Sequence, residues 1–125
     1  MQSKIVAVVD DDSAMLKGLV CLLRAYGFQS AAYESAEAFL DSDDVRNATC
    51  VVLDINLPGM SGIELRYRLK KMDPSLPVIF MTADDDESTR AAAKAAGSVA
   101  CLRKPFPAQM LLDAIKKTRA SARIG

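Results

Sequence analysis

Three consecutive aspartates, Asp10, Asp11 and Asp12, end the first apolar run of the sequence, while Asp54 ends another, Thr82 a third, and Lys104 stands just past a fourth. Carboxylates gathered at about 4 Å repel one another by roughly 4 kcal/mol per pair at an effective dielectric of about 20, so such a cluster persists only if something neutralises it. A divalent cation does so. An oxygen-only donor set favours hard Mg2+ or Mn2+, and two or three carboxylates leave coordination positions for waters and a phosphoryl oxygen. Lys104 adds a compact, mobile positive charge for such an oxygen, and Thr82 a hydroxyl that can turn toward one. The outline is that of a phosphoryl-transfer site. The chain of 125 residues contains no histidine, which excludes histidine-dependent triads, most catalytic zinc sites and any role as a histidine phosphodonor.

These residues share a site only if the fold gathers them. Five short apolar runs are visible, at 5–9, 28–33, 50–55, 78–81 and 99–102. Four are continuous, without polar alternation, as strands buried on both faces of a parallel sheet read. The second is weaker and reads as an edge strand.

Helical signals fall between them. Met15, Leu16, Leu19, Leu22, Leu23 and Tyr26 recur at helical steps, and Gly27 stands where a left-handed stop is wanted. Ser35 reads as a cap before 36–40, and Ser61 with Glu64 as a capping box before Leu65, Leu69 and Met72. Asp84 with Glu87 reads as another, opening an alanine-rich helix over 87–96 that ends at Gly97. That helix has no large apolar anchor and should dock weakly. Pro107 opens the last helix, with Leu111, Ile115 and Thr118 on one face.

Five alternations of strand and helix predict an α/β fold, a doubly wound (βα)5 sheet in a three-layer sandwich with right-handed crossovers. A closed barrel would need eight such units. In an open α/β sheet ligands bind beyond the carboxyl ends of the strands. Asp10 to Asp12, Asp54, Thr82 and Lys104 therefore fall on one rim.

The totals agree. The length suits one domain over 1–125, with a core at about 4–119 and 120–125 as a tail or the start of a linker. Sixteen basic residues balance sixteen acidic ones, so no global field draws in nucleic acid. Asp10 ends the opening apolar run before it can serve as a signal peptide, and no stretch approaches the ~18 apolar residues of a membrane span. Cys21, Cys50 and Cys101 are odd in number and widely spaced, which suits reduced thiols in the cytosol.

The runs Val8-Val9-Asp10-Asp11-Asp12, Leu53-Asp54-Ile55-Asn56-Leu57-Pro58-Gly59-Met60-Ser61-Gly62, Met81-Thr82-Ala83 and Leu102-Arg103-Lys104-Pro105-Phe106 resemble the four motifs of two-component response regulator receiver domains. They stand in that family's order, and the resemblance covers roughly residues 4–119. It implies the flavodoxin-like strand order 2-1-3-4-5 and a cytoplasmic signalling module rather than a turnover enzyme. Asp54 would be the phosphoacceptor, loaded by the phosphohistidine of a sensor histidine kinase or histidine phosphotransfer protein. Asp11 would bind Mg2+ (or Mn2+) directly alongside Asp54, Asp10 through water, and Asn56 through its backbone carbonyl. Lys104 would pair with the phosphoryl group, and Thr82 would hydrogen-bond to it and report its presence. The Lys104–Pro105 peptide is cis in that family.

The response would reach the face formed by the fourth helix, fifth strand and fifth helix, which meets an output domain or downstream protein. It leaves room for a homodimer on phosphorylation, and gives this domain no direct contact with membrane or nucleic acid. One position departs from the pattern: Cys101 stands where these domains usually carry the tyrosine or phenylalanine of the switch.

Blander readings exist for each residue. Asp12 can cap the first helix while Asp11 binds metal, Asp84, Asp85 and Asp86 can cap and solvate the fourth helix, and Cys101 can be a buried small hydrophobe. A dehalogenase-type phosphatase would have its nucleophile on the first strand, with a second aspartate two residues on, where Asp54 has Asn56. A flavodoxin-like flavin binder needs a hydroxyl-rich loop where this chain has three aspartates. The remaining alternative is a pseudo-receiver that binds partners without phosphorylation.

Overall fold

The continuous apolar runs form the middle of a parallel sheet. In the computed structural model, which describes residues 5–84 and 86–124, β1 (Ile5–Val9), β3 (Ala48–Asp54) and β4 (Val78–Thr82) are central, and β1 and β4 are buried at every position. The edge strands are β2 (Ser30–Tyr33) and β5 (Ala100–Arg103), both less buried. All pairings are parallel and the order is β2-β1-β3-β4-β5, as expected. Strand β2 starts later than its apolar run because the Phe28 amide turns back to the Leu23 carbonyl (2.9 Å).

Alternation along each strand sends side chains to two separate cores, one per face. Val6 and Val8 join Leu16, Leu19 and Leu23 of α1 (Ser13–Ala25) and Leu111, Ala114 and Ile115 of α6 (Ala108–Ile124). Ala7 and Val9 join Phe39 of α2 (Ala36–Leu40), Leu65 and Leu69 of α4 (Gly62–Met72), and Ala93 and Ala96 of α5 (Glu87–Ala96). The result is the three-layer sandwich. A four-residue helix not foreseen from sequence, α3 (Asp44–Asn47), lies before β3 and is tied to β2 by the hydrogen bond from the Tyr33 hydroxyl to Asp44. The helices expected as fourth and fifth are therefore α5 and α6. Helix α6 continues through 120–124, the stretch read as a tail.

The caps follow the sequence with one correction. Asp12 accepts from the amides of Ala14 and Met15, Ser35 from Ala38, and Ser61 from Glu64. At α5 the cap is Asp86, which accepts from Thr89 at 2.8 Å, rather than Asp84. Asp84 has other partners, described below, and Asp85 lies outside the described residues.

One glycine holds α4 against the sheet. A Cβ at Gly62 would stand 2.2 Å from the Asp54 carbonyl oxygen and 2.9 Å from Ile55 Cα, both backbone atoms that cannot swing aside. The Gly62 amide also donates to Ile55 O at 3.0 Å. Gly62→Ala should cost about 3 kcal/mol, the upper end for overpacking. Urea unfolding will show a lower midpoint at unchanged slope; a loss below about 0.5 kcal/mol would mean that this approach is not needed.

Candidate functional site

The carboxyl ends of β1, β3, β4 and β5 meet on one rim. Asp10 follows β1 and is fully buried, Asp54 is the last residue of β3, Thr82 is the last of β4, and both are almost completely buried. Asp11 is exposed beside them. Single carboxylate oxygens of Asp10, Asp11 and Asp54 lie within 4.8 Å of one another. The three residues expected to crowd together do so.

Lys104 reaches in from just beyond β5, and the Lys104–Pro105 peptide that follows it is cis. Its Nζ donates to Asp10 Oδ2 at 2.7 Å and to Asp54 Oδ2 at 3.0 Å. The other oxygens take backbone amides, Asp10 Oδ1 from Asp12 and Asp54 Oδ1 from Asn56 at 2.9 Å. Burial raises the pKa of Asp10 above the ordinary aspartate value, outweighing the Lys104 ammonium and the Asp12 amide that pull it down. For Lys104 burial alone would lower the pKa, but the hydrogen bonds to Asp10 and Asp54 and their charges together raise it. The lysine remains an ammonium.

Three carboxylates against one ammonium leave two negative charges. The donors are all oxygens, two of the groups are buried, and the third opens to solvent. That set fits one hard divalent cation, with room on the Asp11 side for water.

Thr82, expected to supply a hydroxyl that can turn toward a phosphoryl oxygen, has that hydroxyl engaged elsewhere in this structure. Its Oγ1 accepts from the Asp84 amide at 3.0 Å and donates to the Asp84 carbonyl at 3.1 Å, so it is engaged in the turn between β4 and α5. The same turn is latched across the rim, where Asn56 Nδ2 donates to Asp84 Oδ2 at 2.8 Å. Asp84 is thus a rim residue that the sequence reading assigned to capping. A signal for it existed: Asn56 and Asp84 each stand two residues past the ends of adjacent strands. Cys101, expected as a buried hydrophobe, is half-buried, because β5 is an edge strand; it pairs in register with Phe80 and packs toward the core under α2, α4 and α5.

The family model described as the response regulator receiver domain matches residues 6–116. Nodulation protein W of Bradyrhizobium diazoefficiens is 39% identical over 111 residues, which is 89% of this chain and 49% of that protein. The transcriptional regulatory protein FixJ of the same organism is 36% identical over 120 residues, covering 93% of this chain and 58% of that protein. Among solved structures, a receiver domain protein (CheY-like) from Methanospirillum hungatei JF-1 superposes with a TM-score of 0.87 at 26% identity, over 100% of both chains. The chain spans about half the length of the curated relatives it matches.

Removing the ammonium should expose the repulsion it suppresses. Without divalent ions, Lys104→Met should lower stability at pH 7 by about 3 kcal/mol, the range for stranding buried charge. Asp10 has a raised pKa, so acid relieves its buried charge before pH falls to the ordinary value of 3.8. The deficit should therefore shrink on acidification, as urea titrations at several pH values in chelator will show. A pH-independent deficit would contradict this origin.

Proposed function

Because the chain belongs to the family of response regulator receiver domains, we propose that it carries a phosphoryl group on Asp54 and signals through the change this makes on its surface. The observation that carries this reading is the shared Lys104 ammonium, which spans Asp10 and Asp54 with Asp11 open to solvent beside them. An oxygen of the Asp54 carboxylate attacks the phosphorus of a phosphohistidine on a sensor kinase or phosphotransfer protein. A P–O bond forms, the P–N bond breaks, and the electron pair leaves on the imidazole. Asp11 and Asp54, the Asn56 carbonyl, and Asp10 through water would hold Mg2+ or Mn2+. When bound, the ion supplies positive charge to the transferring phosphoryl oxygens.

The protein's own groups do the rest. The Asn56 amide holds one Asp54 oxygen in place, and Lys104 stands ready to exchange a carboxylate contact for a phosphoryl oxygen. Acquiring about −1.5 to −2 charge at Asp54 draws donors inward. Thr82 is a hydroxyl at the end of the adjacent strand, and to reach the phosphoryl group it must leave Asp84. Its departure would rebuild the turn that leads into α5. The face of α5, β5 and α6 is thereby the proposed switch surface, for an output domain, a downstream protein or a second copy of this chain. Loss of the acyl phosphate would be slow and assisted by the same residues, so the domain is not a turnover enzyme.

The domain boundaries proposed are 1–125, with the core at about 4–119, working in the cytoplasm. No helix of the described residues is long and apolar enough to cross a membrane. Direct contact with nucleic acid is left to an attached or separate output, consistent with a net charge of zero.

Incubation with Mg2+ and a small acyl phosphate should give a single phosphoryl adduct by mass, absent in Asp54→Asn and formed far more slowly in Asp11→Asn. Adduct formation that survives Asp54→Asn would overturn the assignment. A second measurement addresses the missing aromatic at the switch position. Cys101→Tyr should change affinity for a partner severalfold while leaving the phosphorylation rate within about a factor of two; equal effects on both would count against a switch role for this position.

A further inference from the structure

Arg66 lies on α4, and only 6% of its surface is exposed. Buried cations ordinarily face a carboxylate. Among the described residues none pairs with this one. Its Nε donates instead to the Ala96 carbonyl at 3.1 Å, and its Nη1 to the Leu76 carbonyl at 2.8 Å. Ala96 is the last residue of α5, where carbonyls lack partners within the helix and carry its partial negative charge. Lys70, four residues along the same helix, converges on the same place. A Cβ built on Gly97 would stand 3.6 Å from Lys70 Nζ and 3.7 Å from an Arg66 guanidinium nitrogen. Helix α4 therefore presents two cations to the C-terminal end of α5.

The two ends of α5 are held very differently. At the C-terminal end Ser98 donates to Ala93 O and the Gly97 amide to Lys94 O, while Arg66 takes Ala96 O. That end also carries the helix's buried residues, Ala93 and Ala96, both small. The N-terminal end has the Asp86 cap and then the Thr82–Asp84–Asn56 latch on the rim of the site. Burial of so little apolar area gives the helix a weak grip of its own. The Arg66 Nε hydrogen bond to Ala96 O, charge-assisted and shielded from water, adds a strong hold at that end, while Nη1 ties the same guanidinium to Leu76 O ahead of β4.

We propose that Arg66 is the positioning residue of α5: it pins the helix's C-terminal end against α4 and the segment leading into β4, so that rebuilding the Thr82–Asp84 turn swings the N-terminal end about a fixed pivot. The pinning stands on the geometry alone, whereas the swing rests on the reading of Asp54 as phosphoacceptor.

Hydrogen exchange followed by mass spectrometry on the whole chain tests both, using wild type, Arg66→Lys and Arg66→Met, with and without Mg2+ and a small acyl phosphate. Without acyl phosphate, amides 94–97 should exchange on the order of tenfold faster in Arg66→Met. The lysine variant should fall between, and β1 and β3 should be unchanged. Unaltered exchange at 94–97 would overturn the pinning. Should Arg66→Met fail to fold, as fast exchange in β1 and β3 would show, a selective rise at 94–97 in Arg66→Lys supports the pinning and its absence refutes it. With acyl phosphate, the wild-type change should fall on 86–90 and spare 94–97, and in Arg66→Met it should reach both ends. Equal change at both ends in wild type would overturn the pivot. If wild type gains no phosphoryl group, the Asp54 reading fails and takes the swing with it, while the unloaded samples still decide the pinning.

Discussion

The ammonium of Lys104 sits between two carboxylates that the fold has removed from water, 2.7 Å from Asp10 and 3.0 Å from Asp54. Buried like charges at the end of adjacent strands would drive those strands apart or force protonation. One lysine cannot balance the set once exposed Asp11 is counted. The rim is therefore assembled with a residual negative charge, and its appetite for a cation follows from the fold rather than from any single residue. Much of the surrounding structure holds this uncomfortable arrangement in place: amides of Asp12 and Asn56 each take one carboxylate oxygen, and a glycine lets α4 press against the end of β3.

The same rim is wired to the two faces of the sheet in different ways. Asp12, next to the acidic pair, caps α1 on one face, a connection made within consecutive residues. Toward the other face the connection runs from the Asn56 side chain to Asp84 and, through the Asp84 backbone, to the Thr82 hydroxyl and then into α5. The α1 side is the more heavily packed. Leu16, Leu19 and Leu23 bury a broad apolar stripe there, whereas α5 buries two alanines.

The fold was legible because its information is periodic. Runs such as 50–55 and 78–81 have no polar alternation and can only be central strands of a covered sheet, and once their order is known the aspartates at their ends must meet. What escaped was decided by contacts distant in sequence or by a choice among equals. Asp84, Asp85 and Asp86 are chemically identical, and only the turn geometry selects Asp86 to cap α5 and frees Asp84 to reach Asn56. Arg66 shares the Gly62, Leu65 and Leu69 face of α4 by helical spacing, but a basic residue among Arg68, Lys70 and Lys71 does not announce the backbone carbonyls of Leu76 and Ala96 that receive it. The orientation of the Thr82 hydroxyl is a rotamer, which a sequence does not encode by itself. Helix α3 is too short to carry a period.

The doubly bonded Thr82 bears on how quiet this module is when idle. Two hydrogen bonds to Asp84, each worth about 1 kcal/mol net, favour the turn-bound hydroxyl over the inward one by about 2 kcal/mol, close to a thirtyfold bias. If Thr82 is the proposed reporter of Asp54, spontaneous excursions would then reach only a few molecules in every hundred. Under the proposed switching role a threonine that idled free would give a noisier signal, and one hydroxyl with the turn backbone that holds it would set the resting background.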